Sequence, residues 1–155
     1  MNQSYAYYRS PIGTLKITAD HDSILAIEMF KSKPSAISSI KISSPILKEA
    51  VNQLKEYFSG KRNQFSLPIG FQGTDFQNKV WRQLLKIPYG TTLSYLDMAK
   101  KIKQPTAARA VGMALNKNPI AIVVPCHRVI GSNGTLTGFA GGISKKKFLL
   151  ELEKD

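Results

Sequence analysis

The 155-residue sequence predicts two small domains in tandem. Residues 1–73 read as an α/β domain with a small antiparallel sheet, and residues 74–155 as a mainly α domain. Three observations predict this. Apolar and polar residues alternate within the first thirty positions. Apolar residues recur at helical spacing after Thr74. Two short helical segments flank a tight Gln104-Pro105-Thr106 break. Alternation is the period of a half-buried strand, and two short helices around one turn make a helix-turn-helix.

Each element has a local reason. Tyr5-Ala6-Tyr7-Tyr8 is a short aromatic strand, and Ser10-Pro11-Ile12-Gly13 is turn chemistry. Thr14 to Thr18 alternates, Asp20-His21-Asp22 is a polar turn, and Ile24 to Phe30 is a further strand, so the three form a meander. Residues 31–43 are rich in Lys and Ser and read as a loop. Ser44 and Pro45 start a helix as N-cap and first residue. Its apolar positions are Ile46, Leu47, Ala50, Val51, Leu54 and Phe58, and Gly60 stops it. Phe65, Leu67 and Ile69 predict a last short strand, and Gly70 to Gly73 a linker.

In the second domain Thr74-Asp75 caps a helix with Phe76, Val80, Trp81, Leu84 and Leu85 inward, ended by Pro88-Tyr89-Gly90. Ser94 caps a helix over Tyr95 to Ile102, and Ala107 to Leu115 is the second helix of the pair, stopped by Asn118-Pro119. Ile120 to Val124 is an apolar β-branched run leading to Pro125-Cys126-His127-Arg128. A glycine-rich stretch spans Gly131 to Gly142. The final helix, Ser144 to Glu153, turns Phe148, Leu149 and Leu152 inward and leaves Lys145-Lys146-Lys147 as a solvated face, with phosphate contact as the alternative.

Composition excludes several classes. With 43% hydrophobic residues the chain builds a core, so wholesale disorder is excluded. No apolar run approaches the roughly 18 residues of a membrane span. The polar start, Met1 to Tyr5, lacks a secretion signature, so the expected home is the cytoplasm. The single cysteine, Cys126, allows no intramolecular disulfide. One Cys with two His does not make a structural zinc site, and His21 reads as a solvated surface residue. Net charge is +12, from 22 basic and 10 acidic residues. Residues 1–74 contribute +4 and residues 75–155 contribute +8. The imbalance favours a polyanionic partner and assigns nucleic acid to the second domain.

Cys126 and His127 are the candidate chemistry. A thiolate is a strong nucleophile, but a free thiol titrates near about 8.5 and needs a base or a positive field. On an extended backbone, adjacent side chains point to opposite faces. Either the chain turns at this dipeptide, or a water carries the proton between the two. A lone Cys-His pair is otherwise a buried, inert cysteine beside an incidental histidine.

The surroundings change that reading. Ile122-Val123-Val124-Pro125-Cys126-His127-Arg128 resembles the active-site signature of the O6-alkylguanine-DNA alkyltransferases. Ala107-Ala108-Arg109-Ala110-Val111-Gly112, Asn118-Pro119, Val129-Ile130, Phe139-Ala140-Gly141-Gly142 and Phe148 to Glu153 follow the family's order and spacing. The likeness covers residues 76–155. In the first half it is limited to Ser10 to Leu15. It implies a winged helix-turn-helix in the second domain. It also implies stoichiometric, irreversible transfer of an alkyl group from O6-alkylguanine in double-stranded DNA, with O4-alkylthymine as a further lesion, onto the protein's own cysteine. No cofactor, metal or S-adenosylmethionine site is implied, and the expected state is a monomer.

Residue by residue, the resemblance implies Cys126 as acceptor, His127 as a base acting through a bound water, and Glu153 as the acid orienting that histidine. Asn118 would tie the active-site turn to the helix-turn-helix, and Tyr95 would donate a proton toward guanine N3. Arg109 would fill the gap left by a flipped base. Ala107, Ala108 and Gly112 would let its helix enter the minor groove. Val129 would contact guanine through its backbone, and Phe139, Ala140 and Gly141 would form the pocket lid. Some members carry Tyr where Phe139 stands, so one hydrogen bond is open to doubt. Gly141, without a side chain, predicts room for alkyl groups larger than methyl, and failure to react with a benzylated guanine would count against it. Three alternatives remain at this point: a lesion sensor without chemistry, a Cys-His hydrolase of a small molecule, and a winged-helix regulator. Cys126 speaks against the first, and the +8 half with Arg109 against the second. The third needs no nucleophile and usually needs a dimer interface.

Overall fold

Alternation in the sequence becomes a meander. In the computed structural model, which describes residues 3–30, 44–136, 138–139 and 141–154, β1 (Ser4–Ser10), β2 (Gly13–Ala19) and β3 (Ile24–Met29) pair antiparallel in that order. Register runs through Tyr7↔Lys16 and Ile17↔Ile27, with an irregularity at Thr18/Ala19. Gly13, at φ 106, supplies the positive backbone angle that the β1–β2 turn requires. Leu15, Ile17 and Ala19 all point into the core. The loop expected at 31–43 lies outside the described residues.

The chain divides into two units, Met1–Phe71 and Gln72–Asp155. In the first, α1 (Pro45–Phe58) begins where Ser44 Oγ accepts the Leu47 N–H at 3.3 Å. Leu47, Ala50, Leu54 and Tyr57 form its buried stripe, at spacings of three and four, and the helix packs on β1 and β2. Burying each such leucine is worth about 1.5–3 kcal/mol. The strand expected from Phe65, Leu67 and Ile69 reduces to one parallel bridge, Ile24↔Ile69. Pro68 is the reason: it has no N–H for a ladder, though its carbonyl accepts from Ile24 N at 2.8 Å.

In the second unit α2 (Asp75–Leu84) opens with a capping box between Thr74 and Gln77. It buries Val80, Trp81 and Leu84. Leu85, expected inward, is exposed because the helix ends at Leu84, and Ile87 takes the next core position. α3 (Tyr95–Lys101) has a capping box between Ser94 and Asp97. It closes with Lys103 N–H to the Lys100 carbonyl and Gln104 N–H to the Ala99 carbonyl, the paired bonds of a Schellman motif. α4 (Ala108–Asn116) follows after a short turn, completing the helix-turn-helix. β4 (Leu93–Ser94) and β5 (Val129–Ile130) pair in parallel, and α5 (Ile143–Leu152) closes the chain.

Two expectations fail here for physical reasons. Ile120 to Val124 is not extended: all five residues are buried in successive tight turns. Val123 N–H reaches the Ala121 carbonyl at 2.8 Å around Ile122, which is held at φ 72. That is a γ-turn of the strained, φ-positive kind, rare for a β-branched residue. The run is apolar because its turns are buried, not because it is a strand. In α5 the inward positions are Lys146, Leu149 and Glu153, with Leu152 half-buried, while Phe148 is exposed. The lysine run is therefore not one solvated face. Among the described residues no helix is long and apolar enough to cross a membrane.

Candidate active site

The chain leaves α4 and is braced by Asn118. Its Nδ2 donates to the Val124 carbonyl at 2.9 Å, and its Oδ1 accepts from Ile120 N at 3.0 Å. Its side chain also reaches the Cys126 thiol. One amide thus closes the strained turns and touches the nucleophile they deliver. At Pro125 (φ −83, ψ 65) a second tight turn sends Cys126 N–H to the Val124 carbonyl at 2.8 Å. Cys126–Arg128 then form one 3-10 turn. Of the two possibilities left open for the Cys-His pair, a turning backbone is what the chain adopts.

The histidine is fully buried and bonded on one side. Its Nε2 lies 2.7 Å from Glu153 Oε2. An ionised carboxylate accepts only, so Nε2 carries the proton and Nδ1 is the basic nitrogen. Nδ1 is buried and has no protein hydrogen-bond partner. Arg128 completes the group. Its Nε donates to Glu153 Oε1 at 2.7 Å, its Nη2 to Oε2 at 3.0 Å, and its Nη1 to the Ile87 carbonyl at 2.7 Å. The forked pair fixes the carboxylate in plane and balances its charge inside the protein.

The Pro88-Tyr89-Gly90 turn seats this group. Tyr89 Oη donates to the Leu152 carbonyl at 3.2 Å, and the ring lies 5.8 Å from the Arg128 guanidinium. Gly90, at φ 78, brings its N–H within 3.4 Å of Glu153 Oε1. A side chain there would stand 2.9 Å from the Glu153 carbonyl oxygen, so the position requires glycine twice over.

Electrostatics divide the roles. Burial pushes the Cys126 thiol up, only partly opposed by the Asn118 hydrogen bond and the Lys146 cation, so the resting sulfur is protonated. Burial pulls His127 down, against the Glu153 hydrogen bond and charge that raise it, so the imidazole is neutral and able to accept a proton. Lys146 is also pulled down by burial and donates to the Val129 carbonyl at 2.7 Å.

The remaining sequence-predicted residues gather around this centre. Ser94↔Ile130 pairing places Tyr95 at the start of α3, beside the strand that follows the nucleophile. Tyr95 is half-buried, and its ring faces Gly112 of α4, where an added Cβ would sit 3.7 Å from Cε1. An added Cβ at Gly138 would lie 3.4 Å from Tyr95 Oη, so the glycine-rich loop also reaches the phenol. Val129 is buried, with its N–H on the Cys126 carbonyl. Arg109 is exposed on α4, and Ala107 and Ala108 are half-buried at its start. Phe139 and Gly141 are half-buried; Ala140 lies outside the described residues. His21 is exposed.

Known proteins share both units. Residues 75–155 match the DNA binding domain described for 6-O-methylguanine DNA methyltransferase, and residues 4–71 match its ribonuclease-like domain. The chain belongs to the 6-O-methylguanine DNA methyltransferase family. A Methanosarcina acetivorans relative, named methylated-DNA–protein-cysteine methyltransferase, is 45% identical over 151 residues, covering 96% of this chain and 97% of its own. A Mycobacterium tuberculosis protein of the same name is 48% identical, covering 97% and 92%. The crystal structure of M. tuberculosis OGT in complex with DNA matches with TM-score 0.87 and 45% identity, covering 97% of this chain and 92% of that one.

Within this methyltransferase family member, sequence reasoning assigned no separate role to Arg128, Gly90 or Lys146. Arg128 stood inside the quoted motif, and its neighbour Cys126 took the attention. Gly90 read only as a helix stop. A lysine in a run of three carries no burial signal, and only the inward stripe Lys146, Leu149 and Glu153 could have raised it.

Proposed function

We propose that this protein repairs alkylated DNA by moving a methyl or larger alkyl group from guanine O6 onto Cys126, once per molecule. The observation that carries this is the buried Arg128–Glu153–His127 chain ending beside Cys126, in a unit that belongs to a DNA-binding family. Glu153, held by Arg128, orients His127 and keeps the proton on Nε2. A water between Nδ1 and Sγ then takes the thiol proton, and the Lys146 cation favours the thiolate that results. The thiolate attacks the alkyl carbon, an S–C bond forms as the C–O6 bond breaks, and the electron pair leaves with guanine. Tyr95 supplies a proton toward N3. The net exchange is an alkyl group for a hydrogen.

Guanine O6 is out of reach in a stacked duplex, so the base must leave the stack. Exposed Arg109 is placed to fill the gap, while Ala107, Ala108 and Gly112 allow α4 close approach. Phe139, Ala140 and Gly141 would cover the extruded base, and Val129 would meet it through the second lone pair of its carbonyl. A thioether is a poor leaving group, so the protein is consumed. It acts as a cytoplasmic monomer on double-stranded DNA without a cofactor. The test is transfer of a labelled methyl from duplex DNA bearing one O6-methylguanine. The expected result is a plateau at one label per protein. Continued turnover, or binding without transfer, would replace the proposal with a hydrolase or a lesion sensor.

A further inference from the structure

We infer that the second unit carries a second phosphate-backbone site, separate from α4, through which one molecule holds two DNA segments. The inference rests on the DNA-repair reading above for its choice of polyanion. A groove of about 380 Å³ runs between the second half of α2 and the end of α3. Five cations line it: Lys79, Arg82 and Lys86 from α2, and Lys101 and Lys103 from the end of α3. Spacings of three and four put the α2 cations on one face. Lys103 occupies the left-handed position, φ 62, that closes α3 and that glycine fills most easily.

Among the described residues none of the five lies within ion-pair distance of a carboxylate. The nearest acids in sequence stand one turn back, Asp75 before Lys79 and Asp97 before Lys101. Asp97 is occupied by the Ser94 N–H and hydroxyl, which hold its carboxyl low. Five gathered cations repel one another, and a polyanion relieves that repulsion.

The groove faces away from the helix that carries Arg109. α2 buries Val80, Trp81 and Leu84 toward α4, with Trp81 Nε1 donating to the Ala114 carbonyl at 2.9 Å. The Lys79, Arg82 and Lys86 stripe falls roughly half a turn around α2 from that face. α4 buries Val111, Ala114 and Leu115 and exposes Arg109 and Met113 on its other side. The two surfaces point in opposite directions across the helix pair, so one straight duplex cannot lie on both.

The test uses the full chain and its Lys79→Gln/Arg82→Gln/Lys86→Gln variant, substituted at exposed or half-buried positions. Two short duplexes, one labelled with a donor dye and one with an acceptor, report bridging by energy transfer. Methyl transfer from a single short lesion-bearing duplex is read in parallel. We expect wild type to bridge. The variant should lose bridging, with the log–log salt slope of the second binding event reduced by roughly 2.7, about 0.9 per phosphate released. Methyl transfer should be unchanged. No bridging by wild type, or equal bridging by the variant, would overturn the inference. So would equal weakening of single-duplex binding, which would put the groove on the same duplex as α4. Bridging without methyl transfer by wild type would sustain the groove and overturn the repair reading instead.

Discussion

The two units of this chain bury different things. The first buries Leu15, Ile17, Ile24, Ile27, Leu47, Leu54 and Tyr57, with Thr14 and Gln53 as its polar exceptions. The second buries two cationic side chains, Arg128 and Lys146, together with His127 and Glu153. An apolar core lowers free energy by leaving water. A buried charge raises it unless paired, and replacing such a pair with apolar groups is often neutral or stabilising. The contrast teaches where to look for function. Apolar contacts explain the first unit, whereas the second holds a polar chain that stability alone does not require, and that chain ends at the one cysteine.

Breaking the contrast should give graded effects. The largest is Cys126→Ser, which should abolish methyl transfer while leaving lesion-duplex binding intact, read by label transfer and gel shift. Next is Glu153→Gln, which leaves Arg128 with a neutral partner and His127 free to change tautomer. It should lower unfolding free energy by about 3 kcal/mol in denaturant titration, the low end for breaking a buried pair. Single-turnover transfer should also slow by about 100-fold or more, the lower range for general-base assistance. Leu54→Ala in the first unit is the matched control. It should destabilise by about 2–5 kcal/mol through a cavity, yet leave the transfer rate of folded protein unchanged.

Proton linkage sharpens the same comparison. His127 has a lowered value in the fold, so below the ordinary 6.5 the unfolded chain binds more protons and stability falls with falling pH. Cys126 has a raised value, so above the ordinary 9.0 the unfolded chain loses its proton first and stability falls with rising pH. Urea midpoints should therefore decline on both sides of that window. The acid decline should vanish in His127→Gln if that variant folds. The transfer rate should hold through pH 6.5 and drop only below it, because the base stays neutral there. The smallest expected effect is Ser44→Ala, about 1 kcal/mol from loss of the α1 cap, with no change in transfer.

Much of the architecture was legible because local chemistry and packing agreed. Ser44-Pro45, Thr74 and Ser94 mark helix starts by side-chain acceptors, and each does so in the fold. The meander follows from alternation. Failures came where tertiary context overrides a local pattern. Ile120 to Val124 carries β-branched residues for burial in turns held by Asn118, which no periodicity reveals. Pro68 removed a strand that its apolar neighbours suggested. Leu85 and Phe148 are apolar yet exposed, while Lys146 is charged yet buried, because its amine finds the Val129 carbonyl. At the candidate site the quoted motif supplied Cys126 and His127, and its likeness supplied Glu153. Arg128 and Gly90 became visible only when residues 87–90 and 153 met in space.

The measurement that tests the central claim most directly is intact mass with peptide mapping after incubation with duplex DNA containing one O6-methylguanine. The account predicts a gain of one methylene, confined to the peptide bearing Cys126 and stopping at one per chain. An unmodified Cys126 with the methyl gone from DNA, or a methyl group elsewhere on the protein, would contradict it.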